Sequence, residues 1–177
     1  MIRTIQLIAL TALLVTLAPA LARAGWEYTE FMNPQGDRGE GITLAPENTT
    51  GVLLAFGCES DRWRQVALMP DPENPLRLAS DGKVSIGFKP GQFTPDGQWK
   101  VRQAGPGRTY FAPAPTPFMG RLYEAEKNDP EAKLYMRVRP AKKAPMTLEF
   151  PLKGLREALA KNLWKSCKLD VYFGEPE

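Results

Sequence analysis

Histidine is absent from all 177 residues of the chain, and cysteine occurs only twice. The first absence removes Ser-His-Asp and Cys-His nucleophilic catalysis, H-E-x-x-H zinc chemistry and every histidine-ligated metal. Neither a G-x-S-x-G elbow nor a phosphate-binding P-loop occurs. The glycines of Gly36–Gly41 (GDRGEG) follow no strand-to-helix pattern, so they give no cradle for a phosphate. No cofactor and no metal site is expected. An excess of one charge is also lacking. Of 23 lysines and arginines, Arg3 and Arg23 lie in an N-terminal segment, and the remainder nearly balances 20 acidic residues. Global electrostatics therefore point to no nucleic-acid partner. After Leu17 no apolar run approaches the about 20 residues that a membrane helix needs.

What the N-terminus does contain is an export pattern. Arg3 supplies a positive start, Leu7–Leu17 is an apolar run, and Ala22-Arg23-Ala24 has the small-x-small form of a cleavage site. Residues 1–24 are expected to be a signal peptide and 25–177 a single β-rich globular domain, periplasmic or secreted, with no transmembrane segment after cleavage. Two cysteines in an exported chain predict one structural disulfide, Cys58–Cys167.

The predicted architecture is organised around Met146–Cys167. Leu148 and Phe150 alternate with polar residues as in a half-buried strand. Pro151 ends that ladder. Leu152, Leu155, Leu159 and Leu163 then form one stripe of a 3.6-residue helix, which Cys167 continues. Val52, Leu54, Phe56 and Cys58 share one face of another strand. Together these predict a helix stapled across a sheet.

Between them, further strands are expected at 26–32, 42–45, 62–69, 98–103 and 109–111, with Leu134, Met136 and Val138 inward on another. Asp81-Gly82 is read as a hairpin turn joining 76–78 to 84–88, and Pro95-Asp96-Gly97 as a further turn. Ala112–Pro117 (APAPTP) is read as an extended connector, and Phe118–Lys127 as a short helix with a solvated, acidic end. Asn48-Thr49-Thr50 is formally a glycosylation sequon. The fold class is α+β and β-rich: an antiparallel sheet or small β-sandwich, a C-terminal helix packed on it, and the Cys58–Cys167 link.

Binding is the favoured class of function, through two candidate surfaces. Arg137, Arg139, Lys142 and Lys143 form a basic cluster beside Tyr135, suited to anionic groups. The competing reading is an edge strand whose charges block unwanted pairing. Arg62, Trp63 and Arg64, with the proline-rich Tyr110–Phe118 segment, form the second, since aromatics and arginines anchor interfaces. Its competitor is a core Trp63 with solvated arginines. The expected partner is another envelope or secreted protein. An anionic lipid or polysaccharide is the alternative, and a carboxylate-pair hydrolase, with no catalytic pair assignable, is the third reading.

One pattern spans most of the chain. Trp26 stands soon after the export segment, Cys58 lies on an apolar strand, and hairpins follow. Phe150, Gly154, Ala158, Leu159 and Cys167 then trace a strand, a Gly-x-x-x-Ala-Leu helix and a terminal cysteine. This resembles small exported bacterial proteins of the invasion-associated locus B and VasI-like, type VI secretion-associated, groups. The resemblance implies a β-sandwich-like periplasmic accessory protein without established catalysis. It carries over no site residue.

Overall fold

The computed structural model describes residues 25–32, 38–49, 51–59, 63–104 and 107–174; the expected signal peptide lies outside them. The strands are β1 (Glu27–Met32), β2 (Arg38–Leu44), β3 (Val52–Glu59), β4 (Trp63–Pro70), β5 (Lys83–Lys89), β6 (Gln92–Gln98), β7 (Lys100–Ala104), β8 (Gly107–Phe111), β9 (Lys133–Val138) and β10 (Met146–Pro151). They form two antiparallel sheets. One is six-stranded, in the order β1-β2-β3-β4-β8-β7, and the other is four-stranded, in the order β10-β9-β5-β6.

Period-2 burial builds the core. Val52, Leu54, Phe56 and Cys58 turn the same face of β3 inward, at most 3% exposed, and Leu134, Met136 and Val138 do the same on β9. One cluster joins these residues to Ile42, Leu68 and Tyr110, and to both longer helices. Those helices are α1 (Pro115–Asn128) and α2 (Leu155–Asn162); a short α3 (Asp170–Phe173) follows. The disulfide forms as expected, with the Cys58 and Cys167 Cα atoms 5.6 Å apart.

Leu152, Leu155, Leu159 and Leu163 are all buried, although α2 covers only part of the predicted stripe. Beyond Asn162 the chain continues in turns that keep the helical bond spacing: Leu163 N donates to Leu159 O, and Cys167 N donates to Leu163 O, both at 2.9 Å. The stripe therefore still delivers the cysteine to β3.

Three local expectations are corrected. Helix α1 begins at Pro115, inside the expected extended connector, because prolines are tolerated in a first turn whose N–H groups have no intrahelical acceptor. Residues 95–97 lie within β6, an edge strand whose pairing with β5 shifts register twice, so Pro95 interrupts no central ladder. The Asp81-Gly82 turn does not fold 76–78 onto β5. Gly82, at φ +59, brings its carbonyl to Trp99 N at 3.1 Å. Leu78 instead bridges Pro140, and β5 pairs with β6 and β9. Strand β2, which begins at Arg38, takes in the later part of the glycine-containing 36–41 stretch.

The outer edge of β10 is closed by a side chain. Asn48 Nδ2 donates to Thr147 O at 2.8 Å, Glu149 N donates to Asn48 Oδ1 at 3.0 Å, and Glu47 N donates to Glu149 O at 2.8 Å. The asparagine amide behaves as one peptide unit of a missing neighbour strand, which blunts an exposed edge. It also engages one of the two hydrogens on the nitrogen that a glycan would need, so Asn48 itself is built into the fold.

Tyr110, fully buried, donates its hydroxyl to Ala79 O at 2.5 Å. Burial, reinforced by nearby Asp81, pushes its pKa from 10.0 up to about 12. The folded state thus holds this proton more tightly than the unfolded chain. The resulting stabilisation is complete below pH 10 and is lost as pH rises from about 10 to 12. Alkaline denaturation of wild type and Tyr110→Phe checks this: the stability difference between them should shrink by about 2–3 kcal/mol across that window, and a constant difference would refute it.

Candidate functional site: a basic end on the smaller sheet

Strand β9 is interior, flanked by β10 and β5. The edge-strand explanation of its charges is therefore corrected: its backbone is paired on both sides and needs no protection. Alternation buries Leu134, Met136 and Val138, and leaves Tyr135 half-buried and Arg137 exposed on the outer face. Arg137 lies between Ser85 on β5 and Thr147 on β10. Tyr135 lies between Gly87 and Glu149.

The chain after β9 gathers more charge at the same end. Arg139 pairs with Asp81 at 2.5 Å. Lys142 and Lys143 are exposed in the turn that leads to β10, where Lys143 N donates to Pro140 O at 3.3 Å. Lys142 stands at φ +61, a left-handed conformation that costs a non-glycine residue about 1–2 kcal/mol.

Two further cations join from distant sequence. Lys83 opens β5 beside the Asp81-Gly82 turn, two residues before the Ser85 partner of Arg137. Arg77 is exposed on a segment tied to the cluster backbone: Ala141 N donates to Arg77 O at 2.7 Å, and Ala79 N donates to Arg139 O at 2.9 Å. Neither was legible as part of a cluster, since only the sheet order joins 77–83 to 137–143. Asp81 is the acid that these bonds place among the cations, and it is only 22% exposed. A pair such as Arg139–Asp81, with the arginine half exposed, contributes about 1 kcal/mol of stability, so this concentration of charge is not explained by stability.

Of the second predicted surface the structure describes Arg64 and the Tyr110–Phe118 segment. Arg62 and the Trp63 side chain lie outside the described residues. Arg64 is corrected from a solvated flank to a clamp. Its Nε and Nη2 donate to Cys167 O at 3.0 and 2.7 Å, Nη2 also reaches Lys168 O at 3.1 Å, and the guanidinium lies 4.2 Å from the Tyr172 ring centroid. Tyr110 and Phe118 belong to the core. Arg64 is therefore engaged in holding the C-terminal segment. Trp99 and Trp164 are core residues, and Trp26 packs against the core cluster, its ring centroid 5.3 Å from that of Phe56.

Sequence reasoning also placed Glu126 wrongly, in a solvated helix end. It is 9% exposed, and its carboxylate accepts Gly154 N at 2.6 Å and Arg156 N at 2.7 Å. Both oxygens thus cap the start of α2, and Glu126 is the one buried acid among the described residues. With both oxygens engaged by backbone, it is poorly placed to act as a catalytic acid or base. Ser80-Asp81-Gly82-Lys83 has the spacing of a Ser-x-x-Lys acyl-transfer pair. That pairing relies on one helical turn to put the residues side by side, whereas here the stretch is a turn entering a strand, with both side chains exposed. Among the described residues no group of acids and cysteines gathers to hold a metal, and no helix is long and apolar enough to cross a membrane.

Comparison of the chain with protein-family models, with curated proteins and with solved structures finds no match in any of the three.

Proposed function

We propose that the protein is a non-catalytic periplasmic or secreted factor that acts by binding another envelope or secreted protein. The basic end of the smaller sheet is its contact surface. The observation that carries this reading is the convergence of Arg77, Lys83, Arg137, Arg139, Lys142 and Lys143 around Asp81. Such a surface recognises an acidic patch and steers it from a distance. The strained Lys142 supports the reading, because glycine would turn the chain there at lower cost. The disulfide fits an oxidising compartment, and the likeness to the locus B and VasI-like groups fits an accessory role.

A second reading, an anionic lipid or polysaccharide as ligand, is favoured by the flat polar strip of Ser85, Arg137 and Thr147 beside Tyr135. Crosslinking capture from the native envelope, followed by mass spectrometry, separates the two. Wild type should capture one dominant acidic protein. Arg137→Glu/Lys142→Glu should lose at least tenfold of that yield, as should raising the salt, since exposed charges are screened within about 8 Å at physiological ionic strength. Capture of lipid or glycan alone would favour the second reading. A partner retained by the double variant would refute the basic end.

A further inference from the structure

The larger sheet has a second face. Its inward face carries Ile42, Leu54, Phe56, Val66, Leu68 and Tyr110, all in the core cluster. An antiparallel sheet with one buried face normally turns polar residues outward. Here the outward row, read across successive cross-strand partners, is Glu27, Thr43, Ala55, Ala67, Phe111 and Lys100. A parallel row pairs Leu53 with Met69. Leu53, Ala55, Met69 and Phe111 are half-buried and Ala67, small between larger neighbours, is 5% exposed; among the described residues none of the five belongs to the core cluster or to the residues packed against it. Both longer helices bury their apolar sides in the core cluster, on the opposite side of the sheet.

We infer that this face docks a second copy of the chain, sheet on sheet, about a two-fold axis parallel to the strands and lying between β3 and β4. The argument is the order of residues along the row. Such an axis reverses the row, so that Glu27 of one copy meets Lys100 of the other, Thr43 meets Phe111, and Ala55 meets Ala67. Opposite charges close both rims, a large ring faces a small side chain twice, and alanines meet at the centre. The other in-plane axis, perpendicular to the strands, stacks Glu27 on Glu27 and Phe111 on Phe111. Arg102, whose guanidinium lies 5.2 Å from the Phe111 ring centroid, adds a second cation to the rim that receives Glu27. The contact is isologous and closes as a dimer. Six strands at about 4.8 Å spacing give a face about 24 Å wide, and strands of five to eight residues at about 3.4 Å per residue make it about 17–27 Å long, so the contact is smaller than the about 800 Å² per partner of a standard interface. The dimer is accordingly weak and reversible.

Sedimentation velocity on purified protein, produced with its own N-terminal segment so that the cell processes it, tests this from about 5 to 500 µM. Wild type should pass from monomer to dimer within that range. Glu27→Lys and Lys100→Glu should each weaken association at least tenfold, and the two together should restore it. Ala55→Arg should leave a monomer, with its melting curve confirming that it folds; if it does not fold, the charge reversals decide. A monomer at every concentration would overturn the inference, as would a dimer indifferent to Lys100→Glu. So would a double variant that stays as weak as either single one.

Discussion

Replacing Cys167 with serine is expected to lower the unfolding free energy by about 2–5 kcal/mol, which in a marginally stable protein is enough to prevent folding at 37 °C. The bridge joins residues 109 positions apart, and in the chain-entropy model a loop of that length contributes about 4.7 kcal/mol as an upper figure. Both cysteines are 3% exposed, so the variant also leaves a buried hydroxyl and a thiol without their bond. The loss should be felt locally first. Arg64 holds the Cys167 and Lys168 carbonyls and lies over Tyr172, so the segment after Leu163 depends on two anchors, one covalent and one polar. Denaturant unfolding of wild type, Cys167→Ser and Cys58→Ser/Cys167→Ser checks the prediction. The double variant should be no worse than the single one, because its two hydroxyls replace a mismatched pair. A midpoint unchanged in all three would remove the disulfide from the list of stabilising features.

Glu126→Ala is expected to cost about 3–5 kcal/mol, as large an effect as the disulfide from a residue that carries no bond to its partner helix except through two oxygens. Hydrogen bonds to a charged acceptor are worth about 1.5–3 kcal/mol each, and both of its donors are backbone N–H groups at the start of α2. Helix starts leave such donors without intrahelical partners. In α2 no local side chain caps them, because the residue at the N-cap is Gly154 at φ +82. The glycine makes the tight entry possible, and the capping oxygen is supplied by α1 instead. Alanine would leave buried donors bare and a small void beside them. Glutamine keeps the shape but offers one acceptor and turns an NH₂ toward a donor, so Glu126→Gln should fall between wild type and alanine. Equal stability of all three proteins by thermal and denaturant unfolding would show that the cap carries no weight.

These residues mark where sequence reasoning succeeds and where it stops. The alternation of Val52–Cys58 and of Leu134–Val138, and the stripe from Leu152 to Leu163, were legible because burial imposes periods of 2 and 3.6 on neighbouring residues. The disulfide followed from the export expected of the N-terminal pattern and from there being no other cysteine. Glu126 was not legible, since a carboxylate that caps a helix nearly thirty residues away has the same local sequence as a solvated one. The position of β9 inside its sheet was equally hidden: alternation says which face is buried but not which edges are paired. The basic cluster was half visible. Arg137, Arg139, Lys142 and Lys143 are neighbours in sequence, while Arg77 and Lys83 reach them only because Leu78 bridges Pro140 and β5 pairs with β9. Lys83 left one trace, its place after an Asp-Gly turn, though that turn serves a different pairing from the hairpin it suggested.

The covalent bridge also decides how the molecule bears load. Strands β1 and β2 precede Cys58 and α3 follows Cys167, whereas the whole smaller sheet and its basic end lie between the two cysteines. Tension applied through the chain before Cys58 and after Cys167 crosses directly from one sulfur to the other. Everything from residue 59 to 166 is mechanically in parallel with that bond and carries almost none of the pull. A chain held at both ends would therefore keep its basic surface in shape under strain, until the bridge was reduced.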